Sequence, residues 1–252
     1  MTAAIKAGYR DKDTAQAYAN ESETGAGVRA SGVAREEIFV TSKIWVENYG
    51  YEAAKASLER SLARLDIGYI DLMLLHQPFN DVYGAWRALE EYQAAGKVRA
   101  IGLSNFTADR VLDVGLFNRV MPAVNQIEIN PFHQQGEQVK ALLAEGVVPQ
   151  AWGPFAEGKF GIFSNPVLSA IARKHGKSIA QVVTRWLLER DIVVLAKSTK
   201  PERMAQNLDV FDFALDDDDK AQIATLDVGK SQIINHTDLA MVRQFKEWVF
   251  GV

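Results

Sequence analysis

Asp13, Tyr18, Lys43 and His76 put the functional groups of a proton-transfer site into the first third of the chain, in GYRDKDTAQAYANE, FVTSKIW and DLMLLHQP. Each lies at or just beyond the end of a strand-like run, where parallel barrels place their chemistry. Tyr18 offers a phenol that can give up a proton, and Lys43 an ammonium to stabilise the phenolate left behind. Asp13 offers a carboxylate to hold that ammonium, and His76 an imidazole to orient a carbonyl. The set suits carbonyl reduction. Taken singly, each residue has a plainer reading: a helix-start aromatic, a solvated strand-end charge, a turn or cap residue, a satisfied core histidine. Only the four contexts together point to catalysis.

Elements of regular spacing must hold these groups. Short β-rich runs alternate with helical patterns, the mark of parallel βα units. Strands are expected at Tyr9–Asp13, Ile38–Lys43, Tyr69–Leu75, Val98–Leu103, Ala123–Ile127, Val148–Trp152 and Val193–Lys197. The run Ile70–Leu75 is apolar except for Asp71, which predicts a central strand covered on both faces. Between strands, Ala54, Leu58, Leu62 and Leu65 recur at helical spacing with Glu59, Arg60 and Arg64 opposite, predicting a helix over Tyr51–Leu65 packed on a sheet. Ser178 three residues before Gln181 reads as a capping box for a helix over Ile179–Glu189. Asp238–Trp248 is an amphipathic stretch, and the chain opens inside a helical pattern, Met1–Ala7.

No linker, repeat or break in composition divides the chain, so residues 1–252 are expected to form one α/β domain, a TIM-type (β/α)8 barrel. Seven strands are one short of closure. The expectation is that the first strand is missing and that the sequence is a fragment, or a mis-started reading frame, of an eight-stranded parent; a complete protein with an open barrel is the alternative.

Of the 252 residues, 48% are hydrophobic and 24% charged, enough for a sizeable core, and nothing reads as disordered. A net charge of -4 with no basic stripe argues against nucleic acid or an anionic membrane as partner. The absence of cysteine excludes disulfides, thiolate nucleophiles and Cys-ligated metals, and fits a reducing cytoplasm. No leader-like apolar core opens the chain, and no run reaches membrane-spanning length. His76, His133, His175 and His236 show no paired-ligand spacing, so no metal is expected. No GxGxxG follows a strand either, which removes a Rossmann domain as the source of cofactor binding.

From Met1 to about Asn207, and less tightly beyond, the chain resembles the aldo-keto reductase superfamily, in particular bacterial enzymes similar to 2,5-diketo-D-gluconic acid reductases. The match is dense and in order: GYR-x-x-DTA-x-x-Y-x-NE, FVTSKIW, DLMLLHQP, GKVRAIGLSNF, PAVNQIE, AWGPFAEGK, RWLLER, AKS-x-x-x-x-R-x-x-x-N and VFDF. The resemblance implies the barrel fold, reduction of an aldehyde or ketone, and NADPH as cofactor. It also implies that the usual N-terminal hairpin and first barrel strand are absent. The family's tetrad falls on Asp13, Tyr18, Lys43 and His76. Ser104, Asn105 and Gln126 match the positions that bind the nicotinamide carboxamide, and Trp152 the aromatic that stacks on the nicotinamide ring. Lys197, Ser198 and Arg203 match the cluster on the 2′-phosphate, which would favour NADPH over NADH. Asn207 matches an adenine contact, with Gln206 standing where many relatives have Glu. Trp45 and Gln77 would line the substrate pocket, Trp45 sharing a strand face with Lys43.

Two departures stand in the first motif: Asp11 and Lys12 replace the usual His and an aliphatic residue. Strand alternation points Asp11 with Asp13 towards the barrel interior and Lys12 towards the helical layer, and both placements bury charge unless partners or water reach them. Lys12 would be tolerated if the strand were an exposed edge. By resemblance the partner is a small carbonyl substrate and the protein a monomer, although exposed strand edges offer a route to self-association. The rival reading is an NADPH-binding or vestigial protein with little turnover because the barrel is incomplete.

Overall fold

The structure, a computed structural model, describes residues 2–231 and 233–251. Strands β1 (Asp11–Asp13), β2 (Phe39–Ile44), β3 (Ile70–Leu75), β4 (Val98–Ser104), β5 (Val124–Glu128), β6 (Val148–Trp152) and β7 (Val193–Val194) follow one another in chain order in one seven-stranded sheet. Helices α1 (Thr2–Lys6), α2 (Glu21–Arg29), α3 (Tyr51–Leu65), α4 (Val82–Ala94), α5 (Ala108–Leu116) and α6 (Gly136–Ala144) alternate with them. The helices α7 (Pro166–His175), α8 (Ile179–Leu188), α9 (Pro201–Leu208), α10 (Asp217–Ala224) and α11 (Leu239–Glu247) complete the chain. Among the described residues this is the expected βα order, with seven strands where a closed barrel has eight.

The chain divides into two compact units. The first comprises Met1–Asn125, Glu145–Val147 and Asp238–Val252. Its strands β1 to β4 pair in parallel, with Asp13 opposite Thr41, Lys43 opposite Leu74, and Leu74 opposite Gly102. All six residues of β3 are buried, as a strand sheathed on both faces requires. On the inner face Leu72 and Leu74 pack with Val124 and Ala100, each leucine worth roughly 1.5–3 kcal/mol of burial. Gly102 is needed there, because a Cβ would sit 2.8 Å from Leu74 Cδ2 and 2.6 Å from the Val124 carbonyl oxygen.

The buried face of α3 is Ala54, Ser57, Leu58, Ser61 and Leu65, so two serines rather than Leu62 complete the stripe. At the other end of β3 the carboxylate of Asp71, 1% exposed, accepts from Arg35 at 2.6 Å, Arg99 at 3.1 Å and the Val40 amide at 2.9 Å.

The second unit comprises Gln126–Ala144 and Val148–Thr237. Here β6 and β7 pair in parallel, Gln150 opposite Val193. Asn165 caps α7 and Gly176 ends it in the left-handed conformation, while Ser178 and Gln181 form the expected capping box of α8. The predicted Ile179–Glu189 ends one residue earlier, Glu189 being the C-cap.

Other boundaries differ in informative ways. The expected strand at Val193–Lys197 pairs over Val193–Val194 and makes one more bond, Leu195 N–H to the Ala151 carbonyl at 3.1 Å. Beyond it the Ser198 hydroxyl accepts the Lys200 amide, a local bond that competes with a ladder. β1 is shorter than Tyr9–Asp13 because Tyr9 N–H still closes α1 on the Ala4 carbonyl, and pairing begins at the Arg10 carbonyl, which accepts Phe39 N–H. The helix expected over Met1–Ala7 forms as α1; Met1 lies outside the described residues. Lys12 is not an exposed edge residue: it is 5% exposed, with its Nζ donating to the Asp11 carbonyl at 3.1 Å and lying 5.2 Å from the centre of the Tyr9 ring.

Candidate active site

The C-terminal ends of β1, β2 and β3 bring Asp13, Lys43 and His76 into one neighbourhood, and a 3-10 turn over Gln16–Tyr18 adds the phenol. Lys43 is fully buried; its Nζ donates to Asp13 Oδ1 at 2.5 Å and to the Thr14 carbonyl at 2.9 Å. The same Nζ lies 5.0 Å from the centre of the Tyr18 ring. Burial alone would strip its proton. The charges of Asp13 and Tyr18 and the hydrogen bonds to both outweigh burial and hold the Lys43 pKa above the usual lysine value. A cation therefore stays beside the phenol across the physiological range. The Tyr18 ring meets His76 edge-on with centroids 5.9 Å apart, and Tyr18 is half exposed, open to a small molecule from outside.

The turn that carries Tyr18 is pinned by a residue that sequence reasoning passed over. Gln16 is buried, and its amide nitrogen donates to Ser57 Oγ at 2.5 Å and to Ser61 Oγ at 2.9 Å on α3. Its amide oxygen accepts the Trp45 N–H at 3.0 Å and Asn48 Nδ2 at 3.3 Å from the segment after β2. Thr14 completes the frame, bonding Asn20 Oδ1 at 2.6 Å through its hydroxyl and the Thr41 carbonyl at 2.9 Å through its amide. The signal that could have found Gln16 was the pair Ser57 and Ser61, small polar residues at i,i+4 on the face of a helix otherwise chosen for burial.

Trp45 forms the wall next to His76, with ring centroids 5.0 Å apart. The C-terminal segment lies against it: Phe245, Trp248 and Phe250 have centroids 6.0, 6.5 and 5.2 Å from Trp45, and the Trp45 indole donates to the Trp248 carbonyl at 2.8 Å. α11 spans Leu239–Glu247 with Asp238 as N-cap and Trp248 as C-cap, so the expected amphipathic stretch Asp238–Trp248 is this helix with its caps. Gln77 is held by backbone: the Tyr49 hydroxyl donates to its carbonyl and accepts its amide, both at 2.9 Å. Tyr49, unnoticed in the sequence, thus ties the loop after β2 to the loop after β3.

Ser104 ends β4, and Asn105 follows with φ +67°. Asn105 Nδ2 donates to the His76 carbonyl at 3.0 Å and to Ser104 Oγ at 3.2 Å, which locks the amide towards the β3 end. Both residues therefore lie beside the His76 backbone.

The remaining predicted positions belong to the second unit. Gln126 is buried on β5 and donates to Gln150 Oε1 at 3.1 Å; Trp152 closes β6 with its carbonyl accepting Ile129 N–H at 3.3 Å. Lys197 and Ser198 lie in the link from β7 to α9, and Arg203, Gln206 and Asn207 on α9 itself. Lys197 and Arg203 are exposed, and neither pairs with a carboxylate among the described residues. Arg203 stands in the first turn of α9, a helix with no side-chain cap, where free backbone N–H groups favour an anion. Gln206 is exposed on α9 and Asn207 is buried.

With this geometry in hand, comparison with known proteins is informative. Residues 1–228 match the model of the Aldo/keto reductase family. Glyoxal reductase of Bacillus subtilis (strain 168) is 45% identical over 227 residues, covering 90% of this chain and 82% of its own length. An aldo-keto reductase from a Medee basin deep-sea metagenome library superposes with a TM-score of 0.90 at 38% identity, over 94% of this chain and 89% of that one. A Bombyx mori aldo-keto reductase solved in complex with NADP superposes with a TM-score of 0.87 at 32% identity, over 98% of this chain and 85% of that one.

Proposed function

The chain belongs to the aldo/keto reductase family and is an NADP-dependent oxidoreductase; we propose that it reduces a small aldehyde or ketone to the alcohol with Tyr18 as the proton donor. The single observation that carries the reading is the fully buried, charged Lys43 held between Asp13 and the Tyr18 phenol. The cofactor, when held, would supply the hydride that the carbonyl carbon takes. Tyr18 gives its proton to the carbonyl oxygen, and the phenolate that remains is balanced by the Lys43 ammonium, itself neutralised by Asp13. His76 holds the carbonyl in position, its ring edge-on to Tyr18, and Trp45 with Gln77 excludes water on one side.

The residues fit the cofactor. Lys197, in the link before α9, and Arg203, in its first turn, are two cations with no carboxylate partner among the described residues, and Ser198 next to Lys197 in sequence adds a hydroxyl. That set would take a phosphate dianion by charge-assisted hydrogen bonds. In the first unit Ser104 and Asn105 offer a hydroxyl and an amide of the kind a carboxamide needs; in the second, Gln126 offers an amide, Trp152 an aromatic face, and Gln206 with Asn207 amides suited to an adenine.

Following NADPH absorbance while a panel of small aldehydes is offered tests the function directly. Oxidation of NADPH that depends on the aldehyde is the expected result; NADPH binding with no turnover would replace this reading with that of a nucleotide-binding protein. The cofactor assignment has its own test. Arg203→Ala should weaken NADPH binding about ten- to hundred-fold, the scale of a hydrogen bond between charged groups, and leave NADH nearly unchanged. Equal losses for the two cofactors in a fluorescence titration would show that Arg203 does not read the 2′-phosphate.

A further inference from the structure

Asp11 is a carboxyl that the proposed reaction does not use. It begins β1, two residues before Asp13, so the pleat sends both side chains to the sheet face that also carries Thr41 and Lys43 of β2. Although the residue as a whole is partly exposed, its Oδ1 is enclosed and has no hydrogen-bond partner among the described residues. The nearest cation on its own strand does not neutralise it: the Lys12 ammonium is turned onto the Asp11 backbone carbonyl and the Tyr9 ring. Asp13 on β1 and Lys43 on β2 share its face, while the charges of Lys12 and of Asp71 on β3 reach it from the other side of the sheet. Lys43 already has its counter-charge in Asp13 at 2.5 Å. A second carboxylate there would be surplus.

We propose that Asp11 is a proton-binding residue coupled to the Asp13–Lys43 pair: protonated, it leaves that pair balanced beside Tyr18, and ionised, it adds a second negative charge that slows proton delivery. The inference rests on the reductase reading above and adds a pH control to it. Asp11 acts through Asp13 and Lys43 and touches neither substrate nor cofactor, so it is a positioning residue. The only chemical step is exchange of its proton with water. Burial, then the Asp13 charge, raise its pKa to about 7, against the weaker opposing pull of Lys12 and Lys43. That value lies above the one in an unfolded chain, so the protonated form favours the fold. Its stabilisation is present in acid and is lost as pH rises through about 7.

The experiment compares the wild-type chain with Asp11→Asn, which has the shape of the protonated carboxyl and cannot ionise. Wild-type kcat for aldehyde reduction should fall severalfold between about pH 6 and about pH 8, while the variant stays level at the wild-type acid value. Chemical denaturation reads the same proton without turnover: the midpoint of the wild type should drop relative to that of Asp11→Asn over this window. A kcat limb that persists in Asp11→Asn, or midpoints that run parallel with pH, overturns the proposal. If neither protein reduces any aldehyde, the reductase reading fails, and the denaturation pair alone decides whether Asp11 holds its proton in the fold.

Discussion

Tyr18→Phe should lower kcat for aldehyde reduction by about 10²- to 10⁴-fold, the usual contribution of a positioned general acid. The change removes one hydroxyl from a half-exposed ring and keeps the edge contact with His76 at 5.9 Å, so the variant should fold like the wild type. Affinity for NADPH should hold, since the cations proposed to bind its phosphate lie far along the sequence at Lys197 and Arg203. The decisive pair of measurements is kcat at saturating aldehyde beside the Kd for NADPH. Comparable turnover in the two proteins would remove Tyr18 from the mechanism. A loss of NADPH binding equal to the loss of turnover would make the phenol a binding group rather than an acid.

Asp71→Ala should be the most destabilising single change outside the apolar core, costing about 3 kcal/mol, the lower end of what breaking a buried ion pair costs. The carboxylate is 1% exposed and serves Arg35, itself 19% exposed, together with the amide of the fully buried Val40. Removing it strands that amide and leaves the Arg35 guanidinium, stacked 4.0 Å from the centre of the Tyr69 ring, without its charge partner. Arg99 at 60% exposure is screened by water and adds little. Arg99→Ala is therefore the control, expected to cost under about 1 kcal/mol. Urea denaturation of the three proteins compares them. A loss below about 1 kcal/mol for Asp71→Ala would mean that the cluster is dispensable to the fold.

What could be read from the sequence follows from what periodicity and residue type encode. β3 stood out because a strand covered on both faces has no wet side to interrupt its apolar run. α3 matched to the residue because Gly50 precedes it and Asp66 ends it in the left-handed conformation at φ +49°. The cap of α8 was legible because hydroxyl and amide must stand three residues apart to reach each other's backbone. The candidate residues were legible because their chemistry is rare in combination, and the structure brings Asp13, Lys43 and His76 at strand ends near Tyr18 on the following turn. The sequence pattern extends β7 to Lys197 because its aliphatic run continues past the point where its partner strand offers bonds, and residue type does not reveal where a partner stops. Gln16 and Tyr49 escaped for the converse reason. Their partners lie dozens of residues away, Ser57 and Ser61 for one and Gln77 for the other, and only folding makes them neighbours. The turn of the Lys12 ammonium onto a backbone oxygen is a matter of rotamers, which no pattern carries.

The way Gln16 is bound bears on how this protein could be re-engineered. Loops above parallel strands are usually the parts of a barrel most easily lengthened or exchanged, because their ends are fixed and their middles are not. Between Asp13 and Tyr18 the middle is fixed too: one amide joins this loop to α3 and to the segment that begins at Trp45. An inserted residue before Gln16 would have to pull the amide away from its serines or drag Tyr18 away from Lys43. Library designs that vary substrate scope are better directed to the C-terminal segment around Trp248, whose hold on the site is a backbone carbonyl and ring contacts that many sequences can supply.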